Sequence, residues 1–495
     1  METRKTDIQK NMTSGEDRIQ KIRTFCMSRT FMISVAVLAA LFIALGAEVI
    51  GAVVIVLIIS ALLIVCDDVL TAMLPFMVLC IMVLQCYDSF STFIQFIWIA
   101  PIPLAALLFH YLAYFKPFKA DFSIWGILAV SVATVLGGIG TINPKEYFAP
   151  ISLFYVVGLG FGMAAAYMLI KSQISNRKEY DIREKFIDIM YIAAILACFQ
   201  VFEIYAECMI QDSRVFASDE VLYHPVNSYV FHNGMSFSDI FAFLLGKDNY
   251  YMVLRLQPGN NLSTFIMICM PFVFYRMAKG SKLHILTALL LGISLFLTKS
   301  RGGILCGGVE FIICLIFAAY LSDSRRWKWI FSTAAVAMSA AGAYILLGTG
   351  FLSRLGNIVN GTDSRIQLLK RSLEDFAENP LFGKGIGCLD NLDLYEGKKG
   401  TIIWYHMMIP QIIGSMGTVG ILAYGWQFFT RVHLTVKKFS HYVLTFAMSY
   451  IGLFLMSQVN PGEFCPLPYG LIAVILFILI ENEPDRVGKV KEKAR

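Results

Sequence analysis

Long apolar runs separated by short polar connections set the rhythm of this chain. Runs of about 18 to 24 residues, the length a helix needs to cross a hydrocarbon core, recur at 30–47, 49–66, 69–86, 93–115, 122–140, 150–171, 185–208, 261–279, 283–299, 303–321, 329–349, 403–429, 443–459 and 468–482. They predict an all-α polytopic membrane protein with about 14 transmembrane helices, within a range of about 12–14. One interval breaks the rhythm. Between 350 and 402 the chain is polar and rich in glycine, and it stands before the third-last run. Connections of that length are functional or disordered. This one has helix-like patterning in DSRIQLLKRSLEDF (Asp363–Phe376) and a turn-like NPLFGKGIG (Asn379–Gly387), so it reads as a functional loop containing short helices.

Composition agrees with the runs. Hydrophobic residues make up 57% of the chain and charged residues 15%, with a mean hydropathy of +0.66, which excludes an ordinary soluble domain. Basic residues then orient the runs, because cytoplasmic connections are enriched in Lys and Arg. A polar N-terminal tail, 1–29, carries Arg4, Lys5, Lys10, Arg18, Lys21, Arg23 and Arg29, and has no short apolar stretch with a cleavage site. It reads as retained and cytoplasmic.

Alternating from there, Lys116, Lys119, Lys171, Arg177, Lys178, Arg276, Lys279, Arg325, Arg326, Arg431, Lys437 and Lys438 fall in inner connections. The basic tail 483–495 falls inside as well. The expected layout is a multi-span domain over 30–482, both termini cytoplasmic, and two large outer loops at about 209–260 and 350–402. The formal charge of +6 is then an orientation signal, and nothing in the chain points to nucleic acid. The eleven cysteines form no CxxC pair or Cys/His cluster; Cys208, Cys388 and Cys465 fall outside, with no spacing that pairs them. No metal site or cofactor is expected.

Three arginines oppose the inside bias: Arg255 in VLRLQPGNNLS, Arg301 in TKSRGGIL and Arg365 at the head of the loop helix. Taken singly, each reads as a solvated or headgroup-anchoring side chain. Arg301 is the exception. It lies between Ser300 and Gly302–Gly303 at the start of a helix, where backbone amides and a guanidinium fork suit an anion. His406 begins the third-last run; it is either a proton acceptor working near neutral pH or one member of an aromatic belt with Trp404 and Tyr405. Glu203 and Glu310 are intramembrane carboxylates, which are costly and often functional. Glu203 lies near the outer end of its run. For Glu310 a hydrogen-bonded or ion-paired structural group is at least as good a reading.

An outer Arg in SRGG at the head of a span, a loop helix opening with Arg365 and leading to PLFGKGIG, and a His eleven residues before Gly417 come in a familiar order. That order, over about 250–430, resembles the O-antigen ligase and O-antigen polymerase (Wzy/WaaL-like) superfamily of bacterial envelope proteins. The resemblance implies a metal-independent, inverting glycosyltransferase of the GT-C type. Its donor would be an undecaprenyl-pyrophosphate-linked glycan, used on the outer face of the cytoplasmic membrane, and its acceptor a glycan or lipid-linked glycan hydroxyl. Membrane lipids, a flippase and a chain-length regulator would be its partners.

Carried over, Arg301 and Arg365 bind the pyrophosphate and His406 activates or positions the acceptor hydroxyl. Arg255 with Asn260 or Asn261 matches the family's Arg-then-Asn stretch, with Glu203 and Ser300 in support. Met407, Ser415 and Leu368 or Leu369 stand where the family often has Asn, an acidic residue and Trp. Polymerase is preferred over ligase because the chain shows no second acceptor domain. A lipid-linked glycan flippase or transporter would use Glu310 as part of a path. A SEDS-like peptidoglycan polymerase would need an outer-loop aspartate among Asp363, Asp375, Asp390 and Asp393.

Overall fold

A computed structural model describes residues 19–45, 47–83, 99–118, 120–142, 155–174, 181–210, 259–281, 283–298, 300–348, 364–386, 405–460, 462–464 and 467–485. Among them the regular elements are all helical. In chain order they are α1 (Ile19–Cys26), α2 (Arg29–Ala44), α3 (Glu48–Val65), α4 (Met73–Val83), α5 (Pro101–Tyr114) and α6 (Ser123–Ile142). Next come α7 (Tyr155–Ile174), α8 (Ile182–Ile210), α9 (Gly259–Lys279), α10 (His284–Leu297) and α11 (Arg301–Leu321). The last five are α12 (Arg325–Gly348), α13 (Ser364–Glu378), α14 (Met408–Lys437), α15 (His441–Ser457) and α16 (Leu467–Glu481).

By length and composition five of these helices could cross a membrane: α7, Ile182–Glu203 of α8, α9, Gly302–Leu321 of α11, and α14. The pair α1 and α2, bent by 65°, makes a sixth if taken as one broken span. Other expected runs are apolar helices of 10–17 residues. At 1.5 Å per residue a helix of that size reaches about 15–26 Å, short of a hydrocarbon core of about 30 Å. Apolar faces turned outward agree with a lipid surroundings: Leu112 of α5, Val336 of α12 and Leu422 of α14 are all more than half exposed. This is a multi-pass membrane protein.

The chain forms two compact units. The first, 1–116 with 178–262, packs α3 against α4 and α5, and α8 against α2 and α4. The second, 117–177 with 263–495, packs α14 along α6, α13 onto α14, α11 against α12 and α15, and α16 against α7 and α15. α9 enters the second unit deeply buried, with every residue from Leu262 to Tyr275 closed from solvent. Polar side chains start several helices by capping: Ser28 Oγ accepts from Phe31 N at 3.2 Å, and Ser440 Oγ from Val443 N at 3.2 Å.

Two basic residues expected in inner connections are inside helices and buried. Lys171 belongs to α7, and its Nζ lies 2.7 Å from Asp121 Oδ2 and 2.9 Å from Glu481 Oε2. Arg431 belongs to α14, which continues to Lys437 rather than stopping near 429. Its Nη1 meets Glu463 Oε1 at 2.6 Å and Tyr450 Oη at 2.5 Å. The reason is common to both: a charged side chain lowers hydropathy and ends an apolar run on paper, while a buried carboxylate lets the helix carry it onward.

Candidate functional site

The second unit's polar loop is built onto a break in α14. At Gly417 the backbone leaves helical geometry, with φ 61° and ψ −152°. A broken helix strands backbone donors and acceptors that must find other partners in a membrane. Here the turn after α13 supplies them. Lys384 N donates to Gly414 O at 2.8 Å and Gly385 N to Ser415 O at 3.1 Å. In return Thr418 N donates to Pro380 O at 2.8 Å and Val419 N to Leu381 O at 3.1 Å. The contact is backbone against backbone. A Cβ on Gly417 would sit 2.7 Å from Pro380 O, and one on Gly383, itself at φ 66°, would run into the chain at Ser415 and Met416. The described part of the NPLFGKGIG segment, Asn379 to Ile386, therefore docks on the broken helix as a tight glycine turn.

α13 brings its buried positions Leu368, Ser372 and Asp375 to that junction. Asp375 Oδ2 accepts from Tyr405 Oη at 2.5 Å. Its Oδ1 faces Arg371 Nη2 at 3.1 Å and Lys384 Nζ at 3.3 Å. Burial pushes the Asp375 carboxyl above the usual aspartate range, against the lowering pull of Tyr405, Arg371 and Lys384. Tyr405 is itself buried. Its N–H donates to Gln411 Oε1 at 3.0 Å, and Gln411 Nε2 donates to Ser415 Oγ at 2.6 Å. The Tyr405 ring leaves no room for a side chain at Gly414, where a Cβ would lie 2.5 Å from Cζ.

His406 follows Tyr405, half-buried, with φ 54°, the one non-glycine residue in left-handed backbone among the described residues. Burial first, and then the charge of Arg365, hold its imidazole below the ordinary 6.5. A neutral imidazole at pH 7 is a proton acceptor. Arg365 is exposed in the first turn of α13.

The remaining sequence candidates divide. Arg301 is the first residue of α11, and its side chain lies outside the described residues, as does all of Arg255. Asn260 and Asn261 form the first turn of α9. Glu203 lies in α8, in the first unit. Ser300 caps α11, its Oγ accepting from Gly303 N at 2.9 Å. A Cβ on Gly302 would meet Val459 and one on Gly303 would meet Ser263, so close helix packing also uses both glycines.

Tyr405 is a buried hydrogen-bonding residue and no member of an interfacial belt; Trp404 lies outside the described residues, with Asp363, Cys388, Asp390, Asp393 and Cys465. Glu310 is fully buried, and among the described residues its two carboxyl oxygens have no hydrogen-bond partner; they press on Gly452 of α15. Among the described residues no group of three or more His, Cys, Asp or Glu is placed to hold a metal ion.

Sequence reasoning passed over Gln411 and Lys384, and read Tyr405 only as part of an aromatic belt. Asp375 carried a readable signal, since it shares the 368/372/375 stripe that α13 buries, and a carboxylate on such a stripe needs partners.

No curated protein matches the chain. Residues 286–425, which run from α10 through the loop helix, the glycine turn and His406 into α14, match the family described as O-antigen ligase. That segment is similar to the O-antigen ligase family, and the match supports an O-antigen ligase/polymerase role in cell-surface glycan synthesis.

Proposed function

We propose that this protein transfers an undecaprenyl-pyrophosphate-linked glycan to an acceptor sugar hydroxyl on the outer face of the cytoplasmic membrane, as a metal-independent inverting glycosyltransferase of the GT-C type. The observation that carries the reading is that Arg365 opens α13 and His406 stands just before α14, two helices that pack together through the glycine turn inside the family-matched segment. In the reaction the acceptor oxygen attacks the anomeric carbon while the bond from that carbon to the pyrophosphate oxygen breaks. The acceptor proton passes to the neutral His406 imidazole, and undecaprenyl pyrophosphate departs with the bonding pair.

Cations prearranged at the leaving group lower the barrier most where charge develops. Arg301, Arg365 and Arg255 are assigned that task, with Asn260, Asn261, Glu203 and Ser300 in support. A positioned base contributes about 10²–10⁴-fold. About fourteen spans with both termini cytoplasmic belong to the same reading, as do a flippase that delivers the donor and a chain-length regulator.

Asp375 bears on the SEDS-like alternative. It is buried, accepts from Tyr405 and faces two cations, a poor setting for an aspartate that must meet a substrate. A polymerase is favoured over a ligase. Incubation of the purified protein with a single lipid-linked repeat separates them: a ladder of products marks a polymerase, and no product until another acceptor is added marks a ligase.

A further inference from the structure

His406 holds a backbone conformation that side chains with a Cβ rarely adopt. Such a conformation persists only where the surroundings over-determine it. The surroundings that do so converge on the residue before it. Tyr405 is fixed at three points, one on α13 and two on α14. Its hydroxyl donates to Asp375 on α13. Its amide donates to the side chain of Gln411, whose own amide is tied to Ser415 one turn further along α14. Its ring lies over Gly414, where any larger residue would displace it.

Each anchor is itself held. Asp375 is kept in place by Arg371 from its own helix and by Lys384 from the glycine turn. Lys384 is in turn bonded through its backbone to Gly414.

We propose that Tyr405 and Asp375 are positioning residues, which fix the backbone at His406 and so aim its imidazole at the acceptor hydroxyl. This rests on the transferase reading above. It assigns to Tyr405 and Asp375 no contact with substrate. With the Tyr405 hydroxyl tied down, the chain passes from Tyr405 to Met407, the extended residue before α14, through the left-handed His406. Releasing the hydroxyl lets residues 405–407 relax toward ordinary extended backbone, which swings the imidazole away from its place without altering the cations that hold the donor. Misplacement of a reacting group by about 1 Å costs on the order of 10²-fold.

The test uses the full-length protein in liposomes with undecaprenyl-pyrophosphate-linked oligosaccharide extracted from native membranes. Tyr405→Phe and Asp375→Ala should each lower kcat by about 10²-fold with the KM for donor unchanged. Asp375→Asn, which keeps an acceptor for the Tyr405 hydroxyl, should recover most of that loss. The double variant Tyr405→Phe/Asp375→Ala should be no worse than either single one, because both cut the same link. His406→Ala serves as the reference. Wild-type kcat in Tyr405→Phe beside an inactive His406→Ala overturns the positioning role alone, whereas an active His406→Ala overturns the transferase reading beneath it. Losses that follow thermal stability from variant to variant, with no recovery in Asp375→Asn, also overturn the positioning role.

Discussion

Burial and the Arg365 charge both push the His406 imidazole in one direction, below 6.5, and that fixes the sign of the pH dependence. A base must be neutral to act, so turnover rises with pH through the depressed pKa and is already full at neutrality. Arg365→Gln removes one of the two causes, and the acidic limb of the kcat profile moves up toward 6.5 without reaching it, since burial remains the larger cause. A limb that stays in place or moves down in a pH–rate profile contradicts the pairing.

At this scale the sequence was most legible where a residue defied a rule. Arg365 stood out because it opposed the inside bias, and His406 because it closed a polar loop. Tyr405 gave no such signal, because its importance lies in a hydrogen bond to a residue thirty positions away. Ser300, Gly302 and Gly303 also have a structural use, as a cap and in close helix packing.

Among elements, the decisive one is α14, broken at Gly417 and closed again by a turn from elsewhere in the chain. Its geometry falls in a region nearly confined to glycine, and the Pro380 carbonyl occupies the place of a Cβ. Gly417→Ala should therefore destabilise the detergent-solubilised protein by about 1–3 kcal/mol or more, and Gly383→Ala similarly. Gly425→Ala, where a Cβ meets nothing within 4 Å, should change the unfolding temperature little. Equal stability in all three would contradict the docked turn. The glycine turn and the loop helix were legible as local patterns. Their partner was not, because apolar periodicity says nothing of where a helix will break, and Gly417 is one glycine among several along α14.

Across the whole molecule, the apolar runs were legible as helices, but individual cations were misplaced where tertiary pairing overrode hydropathy. Arg431 is the clearest case, buried against Glu463, Tyr450 and the Phe477 ring. Removing one partner of a buried pair leaves a bare charge and costs about 3–5 kcal/mol, whereas apolar replacement of both is often neutral. Glu463→Leu should thus lower the unfolding temperature sharply, and Arg431→Met/Glu463→Leu should restore much of it; a double variant as unstable as the single would refute the pairing.

The central claim is that Arg301, Arg365 and His406 serve one transfer reaction. Its most direct measurement is release of undecaprenyl pyrophosphate with formation of glycan by the purified protein. Arg301→Ala, Arg365→Ala and His406→Ala proteins, inserted in normal amounts, are compared with wild type. Turnover should fall in each, by about 10²–10⁴-fold for His406→Ala; wild-type glycan transfer by all three would contradict the account.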